Sequence, residues 1–294
     1  MIDRRTFLAG ASALALHPLL AAEEERRMLA RTIPAGNEAM PVIGFGNSSA
    51  FRDNDYETSS ALLDVLRETG GRFIDIHGDS EIPVGRYMKQ HEVHAQFFIG
   101  TNVGAAKGMP PDARLLASQD RQGKKPLDLL LLSRPADPQR QWPQMRRWKE
   151  QGLARYIGLA ATGDAFFAPF ENLIRGGTVD FIEINYSLLE PAAGERLLPL
   201  AMDHGVAVVV NRPFVNGRYF PLVSGKALPA WAADFDCASW AQFSLKYIIA
   251  NPAVTCVITE TSKPHHARDN LGAGFGRVPD DDQRARMLNL VNSL

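Results

Sequence analysis

Leu127-Asp-Leu-Leu-Leu-Leu132, Tyr156-Ile-Gly-Leu159 and Phe181-Ile-Glu-Ile184 are three short apolar strings with a helical pattern in each gap, Trp142–Gln151 in the first and Asp164–Arg175 in the second. Strands that alternate with helices imply a parallel sheet, because parallel neighbours need a long crossover. Near-continuous apolar strands imply burial on both faces. Working outward, similar strings recur at Val42–Gly46, Arg72–Ile76 and Phe97–Gly100 on one side, and at Val206–Val210 and Val254–Ile258 on the other. Further helical patterns lie at Ser59–Glu68, closed by Gly70-Gly71, and at Glu195–His204 and Ala238–Ala250. Eight such units in roughly 250 residues fit a closed (β/α)8 TIM barrel. A doubly wound open sheet is the competitor, but no Gly-x-Gly-x-x-Gly follows the first string.

Composition bounds what such a barrel does. The chain has 294 residues, 45% hydrophobic and 22% charged, which is ordinary globular usage. A net charge of −1 argues against a nucleic-acid binder, which normally carries a basic excess. No apolar run reaches the roughly 18 residues of a membrane span, so none is expected in the mature chain. Two cysteines cannot staple a fold of this length. Cys237 and Cys256 flank a helix and are expected at opposite ends of the barrel, as two buried, unpaired thiols.

Residues 1–22 read as an address. Asp3-Arg-Arg-Thr-Phe-Leu8 is similar to a twin-arginine export signal, an Ala-rich stretch runs to Leu16, and Ala21-Ala22 precede Glu23-Glu24-Glu25. Leu20 is not a small residue, which leaves the cleavage position open. The expectation is a signal peptide over 1–22, one barrel over 23–294, a periplasmic location and the twin-arginine machinery as a partner during transport. The stretch Arg212–Asp236, rich in Pro, Gly and aromatics, is either a packed surface loop or a cover over the barrel mouth.

Four stretches carry a family resemblance. They are Arg31–Gly46, Trp148-Lys-Glu-Gln-Gly-Leu-Ala-Arg-Tyr-Ile-Gly158, Val179-Asp-Phe-Ile-Glu-Ile-Asn-Tyr-Ser187 and Val254–Asn270. In this order the chain resembles the aldo/keto reductase superfamily across residues 29–294. The resemblance implies a barrel that reduces a carbonyl with NADPH, using a tyrosine acid, a lysine paired with an aspartate, and a histidine. It places these positions on Asp75, His77, Asn102 and Ser133. Asp75 keeps the aspartate, but His77 replaces the tyrosine, Asn102 the lysine and Ser133 the histidine. On the cofactor side the resemblance points to Glu183, Asn185, Asn211 and Arg212 near the nicotinamide, where Ala160 and Ala161 have lost polar side chains. It points to Thr261, Ser262, Lys263, Arg268 and Asn270 around the adenosine phosphate, with Glu260 as an opposing charge.

These substitutions predict a catalytically impaired or repurposed member that binds an unidentified small molecule, with NADP binding weakened or lost. The alternative is an active NADP(H)-dependent carbonyl oxidoreductase with His77 as proton donor. A lesser alternative is a metal at the barrel mouth, held among Asp75, His77, Asp79, Glu81 and Glu183. Arg134 and Arg212 are candidates for an anionic ligand, and His265-His266 is expected to be a surface pair.

Overall fold

A computed structural model describes residues 27–102 and 110–294. The expected signal, residues 1–22, lies outside the described residues.

The strands are β1 (Ala30–Thr32), β2 (Ala39–Pro41), β3 (Ile43–Phe45), β4 (Phe73–Asp75), β5 (Phe98–Asn102), β6 (Leu127–Ser133), β7 (Ala154–Ala160), β8 (Phe181–Asn185), β9 (Ala207–Asn211) and β10 (Val254–Thr259). The helices, numbered in chain order, are α1 (Ser49–Arg52), α2 (Tyr56–Glu68), α3 (Glu81–His91), α4 (Pro111–Gln122), α5 (Pro138–Glu150), α6 (Phe167–Arg175), α7 (Leu197–Asp203), α8 (Tyr219–Val223), α9 (Trp240–Ile249), α10 (Pro264–Gly272) and α11 (Asp281–Asn292). Strands β3 to β10 form a closed parallel barrel, with β10 pairing back onto β3. Every apolar string read from the sequence becomes one of its eight strands.

The lumen is filled from the bottom. The β1–β2 hairpin pairs antiparallel, and its Ile33 and Met40 are buried in the lumen cluster. Arg31 clamps this hairpin to the wall by donating to the Ile249 and Asn251 carbonyls at 2.6 and 2.7 Å and to that of Val254. Above it sit Phe73, Phe98, Tyr156 and Phe181, with ring centroids 5.5–6.0 Å apart. Gly158 lies beside this layer because a Cβ there would stand 2.6 Å from the Phe181 carbonyl oxygen. Leu131, Val209, Cys256 and Ile258 continue the packing upward. Side chains two apart on a strand share a face. The lumen therefore receives Asp75 after Phe73, Glu183 after Phe181, and Asn211 after Val209.

The helices follow local signals. Asp55 accepts from the Thr58 amide at 3.1 Å, so α2 starts at Tyr56, three residues earlier than its apolar periodicity alone suggests. Asp137 caps α5 from the Arg140 amide, and Trp142, Met145 and Trp148 bury one face. The pattern at Asp164–Arg175 divides into a 3-10 turn and α6. Helices α4 and α11 join those read from periodicity.

Two sequence expectations need adjustment. Arg212–Asp236 is both packed and mouth-lining: Val215, Tyr219 and Phe235 are buried, while Phe214 and Phe220 face a cleft described below. Both cysteines are free, but only Cys256 is fully buried; Cys237 is part-exposed because it lies in the loop before α9 rather than in a strand. Among the described residues no helix is long and apolar enough to cross a membrane.

Candidate functional site

The C-terminal ends of the barrel strands form the mouth, the end where barrel enzymes place their chemistry. Asp75 ends β4 and is nine-tenths buried. Its Oδ1 lies 3.1 Å from the point a Cβ on Gly100 would occupy, which places it over the lumen. That oxygen has no hydrogen-bond partner. Burial pushes the Asp75 pKa well above the usual carboxylate range, and the charges of Glu183, Glu260 and Glu81 add to the effect.

Glu183 lies across the barrel on β8, also buried. Asn211 Nδ2 donates to its Oε1 at 3.0 Å and to the Ala161 carbonyl at 3.1 Å. Glu183 Oε2 and Asn211 Oδ1 are buried without partners. Burial raises the Glu183 pKa to about 7, the Asn211 hydrogen bond opposing and Glu260 adding. Glu260 follows β10 at the exposed rim, with the Arg52 guanidinium 3.9 Å away.

His77 is exposed at this rim. Loss of water on its inward side lowers its pKa; Glu81 opposes this and Arg52 adds to it. The imidazole is therefore held toward its neutral form. Asn102 and Ser133 end β5 and β6 and are half-buried. Asp75, Asn102, Ser133, Glu183 and Asn211 thus share the mouth as strand parity predicts. Tyr87 lies elsewhere, buried in α3 and hydrogen-bonded to Arg67 at 2.9 Å and to Asp64.

Other expected site residues are occupied structurally. Asn185 accepts from the Gly163 amide at 2.7 Å and donates to Glu190 at 2.8 Å. Glu190 in turn lies 3.7 Å from Arg212, which also donates to Asn216 at 3.2 Å. Asn185 and Arg212 therefore bind the loops after β7, β8 and β9 to one another. Arg134 is exposed and lines a separate, largely apolar groove of about 280 Å³ between α4 and α5, so the two arginines do not converge on one anion.

The residues expected around an adenosine phosphate are also divided. Thr261 and Asn270 line a cleft of about 360 Å³ with Phe214, Phe220, Glu260 and His266. Ser262 shares a hydrogen bond with Ser49, Lys263 stands exposed at the start of α10, and Arg268 pairs with Glu68 on α2 at 2.7 Å. Neither Lys263 nor Arg268 lines the cleft. His265 and His266 are exposed, as expected.

Among the described residues no three His, Cys, Asp or Glu side chains converge as ligands. Glu81 faces away from the mouth and holds Thr101, Gln122 and Arg121 at 2.5, 2.9 and 2.7 Å. What the sequence reading missed is the pairing of Asn211 with Glu183 and the set of unfilled acceptors around it. The signal was present as parity: counting by twos from the lumen aromatics leads to each of them.

Comparison with known proteins agrees with this architecture. The aldo/keto reductase family model matches residues 42–289. The chain belongs to the aldo/keto reductase family. The uncharacterized oxidoreductase YqkF of Bacillus subtilis is 26% identical over 152 residues, and this family member spans about half (47%) of that relative's length and 44% of its own. Aldo-keto reductase AKR11C1 from Bacillus halodurans, in its holo form, superposes with a TM-score of 0.73 at 20% identity, covering 90% of this chain and 96% of that one. An aldo-keto reductase from Klebsiella pneumoniae in complex with NADPH gives 0.69 at 20% identity, with the same coverage of 90% and 96%. At these identities the structural likeness establishes the aldo/keto reductase fold.

Proposed function

We propose that this aldo/keto reductase family member is a small-molecule-binding protein that does not perform conventional carbonyl reduction, and that its twin-arginine signal exports it to the periplasm. The carrying observation is Asp75: a buried carboxyl at the heart of the mouth, with a bare oxygen and acidic rather than basic neighbours. A proton relay to a carbonyl needs a donor of suitable pKa held at hydrogen-bond reach. Asn102 and Ser133 do not titrate in the working range, and His77 is exposed and biased toward neutrality.

The residues toward the nicotinamide side are a poor fit for NADP. Ala160 and Ala161 offer no polar side chain, and Asn185 and Arg212 are engaged in loop contacts. At the other end Glu260 lines the cleft while Lys263 and Arg268 do not. Weak or absent NADP(H) binding is the reading these contacts support. A periplasmic location also removes the protein from the cytoplasmic supply of reduced cofactor.

Titration of the mature protein with NADPH, followed by fluorescence and then by addition of simple aldehydes, tests the proposal. Little binding and no turnover are expected. Micromolar binding together with turnover that disappears in His77→Ala establishes the oxidoreductase alternative instead.

A further inference from the structure

We propose that the groove between α4 and α5 binds a small amphipathic carboxylate, with its apolar body on Met145 and Trp148 and its carboxylate on Arg134. This assignment rests on the reading of the chain as a small-molecule-binding protein, and names where such a ligand sits and its chemical class.

The groove lies outside the lumen. On β6, Leu129 and Leu131 belong to the lumen cluster, so Leu132 turns outward toward the two helices. Leu132, Met145 and Trp148 are buried and form the floor, whereas Pro111, Ala136 and Gln141 are exposed and form the rim. The volume of about 280 Å³ is near the lower end of the roughly 300–1,000 Å³ common for small-ligand pockets. Trp148 has already donated its indole N–H to Asp112 Oδ1 at 2.7 Å. Its ring therefore offers the groove apolar surface and no unmet polar group. An occupant gains from such a floor only by covering it with apolar surface of its own.

Charge selects the polar end of that occupant. The guanidinium residues Arg114 and Arg134 line the groove, and no carboxylate does among the described residues. The flanking charges are largely committed to one another or to the backbone. Asp112 holds Trp148, and Asp137 accepts from the Arg140 amide at 3.1 Å as the cap of α5. Arg147 donates to Gln144, Arg146 pairs with Glu150 at 3.5 Å, and Lys149 pairs with Asp180 at 2.6 Å. The flanking acids and bases balance, so the lining arginines set the sign. The Arg134 side chain makes no hydrogen bond or ion pair among the described residues. Its backbone is fixed at the end of β6: the amide donates to the Ala160 carbonyl at 2.7 Å, and φ is +44°, uncommon outside glycine. A guanidinium grips a carboxylate through two parallel charge-assisted hydrogen bonds. An ammonium ion is repelled, a neutral alcohol forgoes the charge, and a small hydrophilic anion gains nothing from the floor.

Calorimetry on the mature protein at pH 7 tests this with phenylacetate and hexanoate, set against benzyl alcohol, benzylammonium, acetate and inorganic phosphate. At least one of the two carboxylates is expected to bind saturably, tenfold or more tighter than every control. Binding should weaken at least fivefold in Arg134→Gln and in Ala136→Trp, which fills the groove from its rim. Arg146→Gln removes a charge from the same helix outside the groove and should bind as wild type does. Circular dichroism verifies folding; both altered groove positions are exposed, and either variant carries the test where the other does not fold. Four results overturn the assignment: no saturable binding of either carboxylate, a control that binds as tightly, a folded groove variant that binds like wild type, or Arg146→Gln weakening binding as much as Arg134→Gln. NADPH-dependent aldehyde turnover is measured on the same preparations. Its absence together with failed carboxylate binding rejects the groove site alone, whereas its presence rejects the underlying reading of the protein.

Discussion

Glu183 carries one satisfied and one bare carboxylate oxygen in the lumen, and its pKa stands near 7 rather than the ordinary 4.5. A carboxyl whose folded pKa is raised binds its proton more tightly in the native state. Its contribution to stability is complete below pH 4.5 and is lost as pH rises through about 7. The size is on the order of 3 kcal/mol, at about 1.4 kcal/mol per unit. Asp75 shifts in the same direction and adds to the slope. Urea unfolding at pH 5 and pH 8 should therefore show wild type more stable at the acidic value, and Glu183→Gln should flatten the difference. A Glu183→Gln protein with the wild-type slope would remove Glu183 as its source. Residue identity was readable in advance for this site: Asp75, Asn102, Ser133, Glu183 and Asn211 all face the mouth. Their state was not readable. The raised carboxyl pKa values arise from burial and from neighbours on other strands, neither of which a linear sequence records.

At the scale of elements, two aspartates repeat one device. Asp180, just before β8, accepts from the Ile157 amide of β7 at 2.9 Å and from Lys149 of α5 at 2.6 Å. Asp128 on β6 accepts from the Ile99 amide of β5 at 3.0 Å and from Lys124 after α4 at 2.6 Å. Each ties a strand to its predecessor and to a lysine at the end of a helix, the helix before its own strand for Asp128 and the helix before the neighbouring strand for Asp180. Asp180→Ala leaves the Ile157 amide unpaired, with an expected cost of roughly 2–3 kcal/mol. The melting temperature should fall by about 5–10 °C. Lys149→Ala should cost less, because Lys149 is part-exposed and the amide keeps its acceptor. Equal losses for the two would contradict this account. The strings Leu127-Asp-Leu and Val179-Asp-Phe showed where these residues fall in their strands. The same legibility failed for Asn185, Arg212 and Arg268, which hold loops and helices together. A polar residue at a strand end looks identical in sequence whether it meets a ligand or a neighbouring loop.

For the whole molecule, the remaining prediction concerns destination. Arg4→Lys with Arg5→Lys should retain the protein in the cytoplasm, whereas the natural chain fractionates with the periplasm. Equal distribution of the two would reject the export proposal. The sequence by itself determined the eight barrel strands, most of the helices between them and the parallel order, because these follow from local periodicity, caps and turns. Local periodicity also set which strand-end residues point inward. Only closure of β10 onto β3 brought β4 and β8 to opposite sides of one lumen. That closure placed Asp75, Glu183 and Glu260 in one another's field and removed water from the first two. Desolvation and charge coupling depend on distances across the barrel, so the chemistry of the mouth belongs to the tertiary structure.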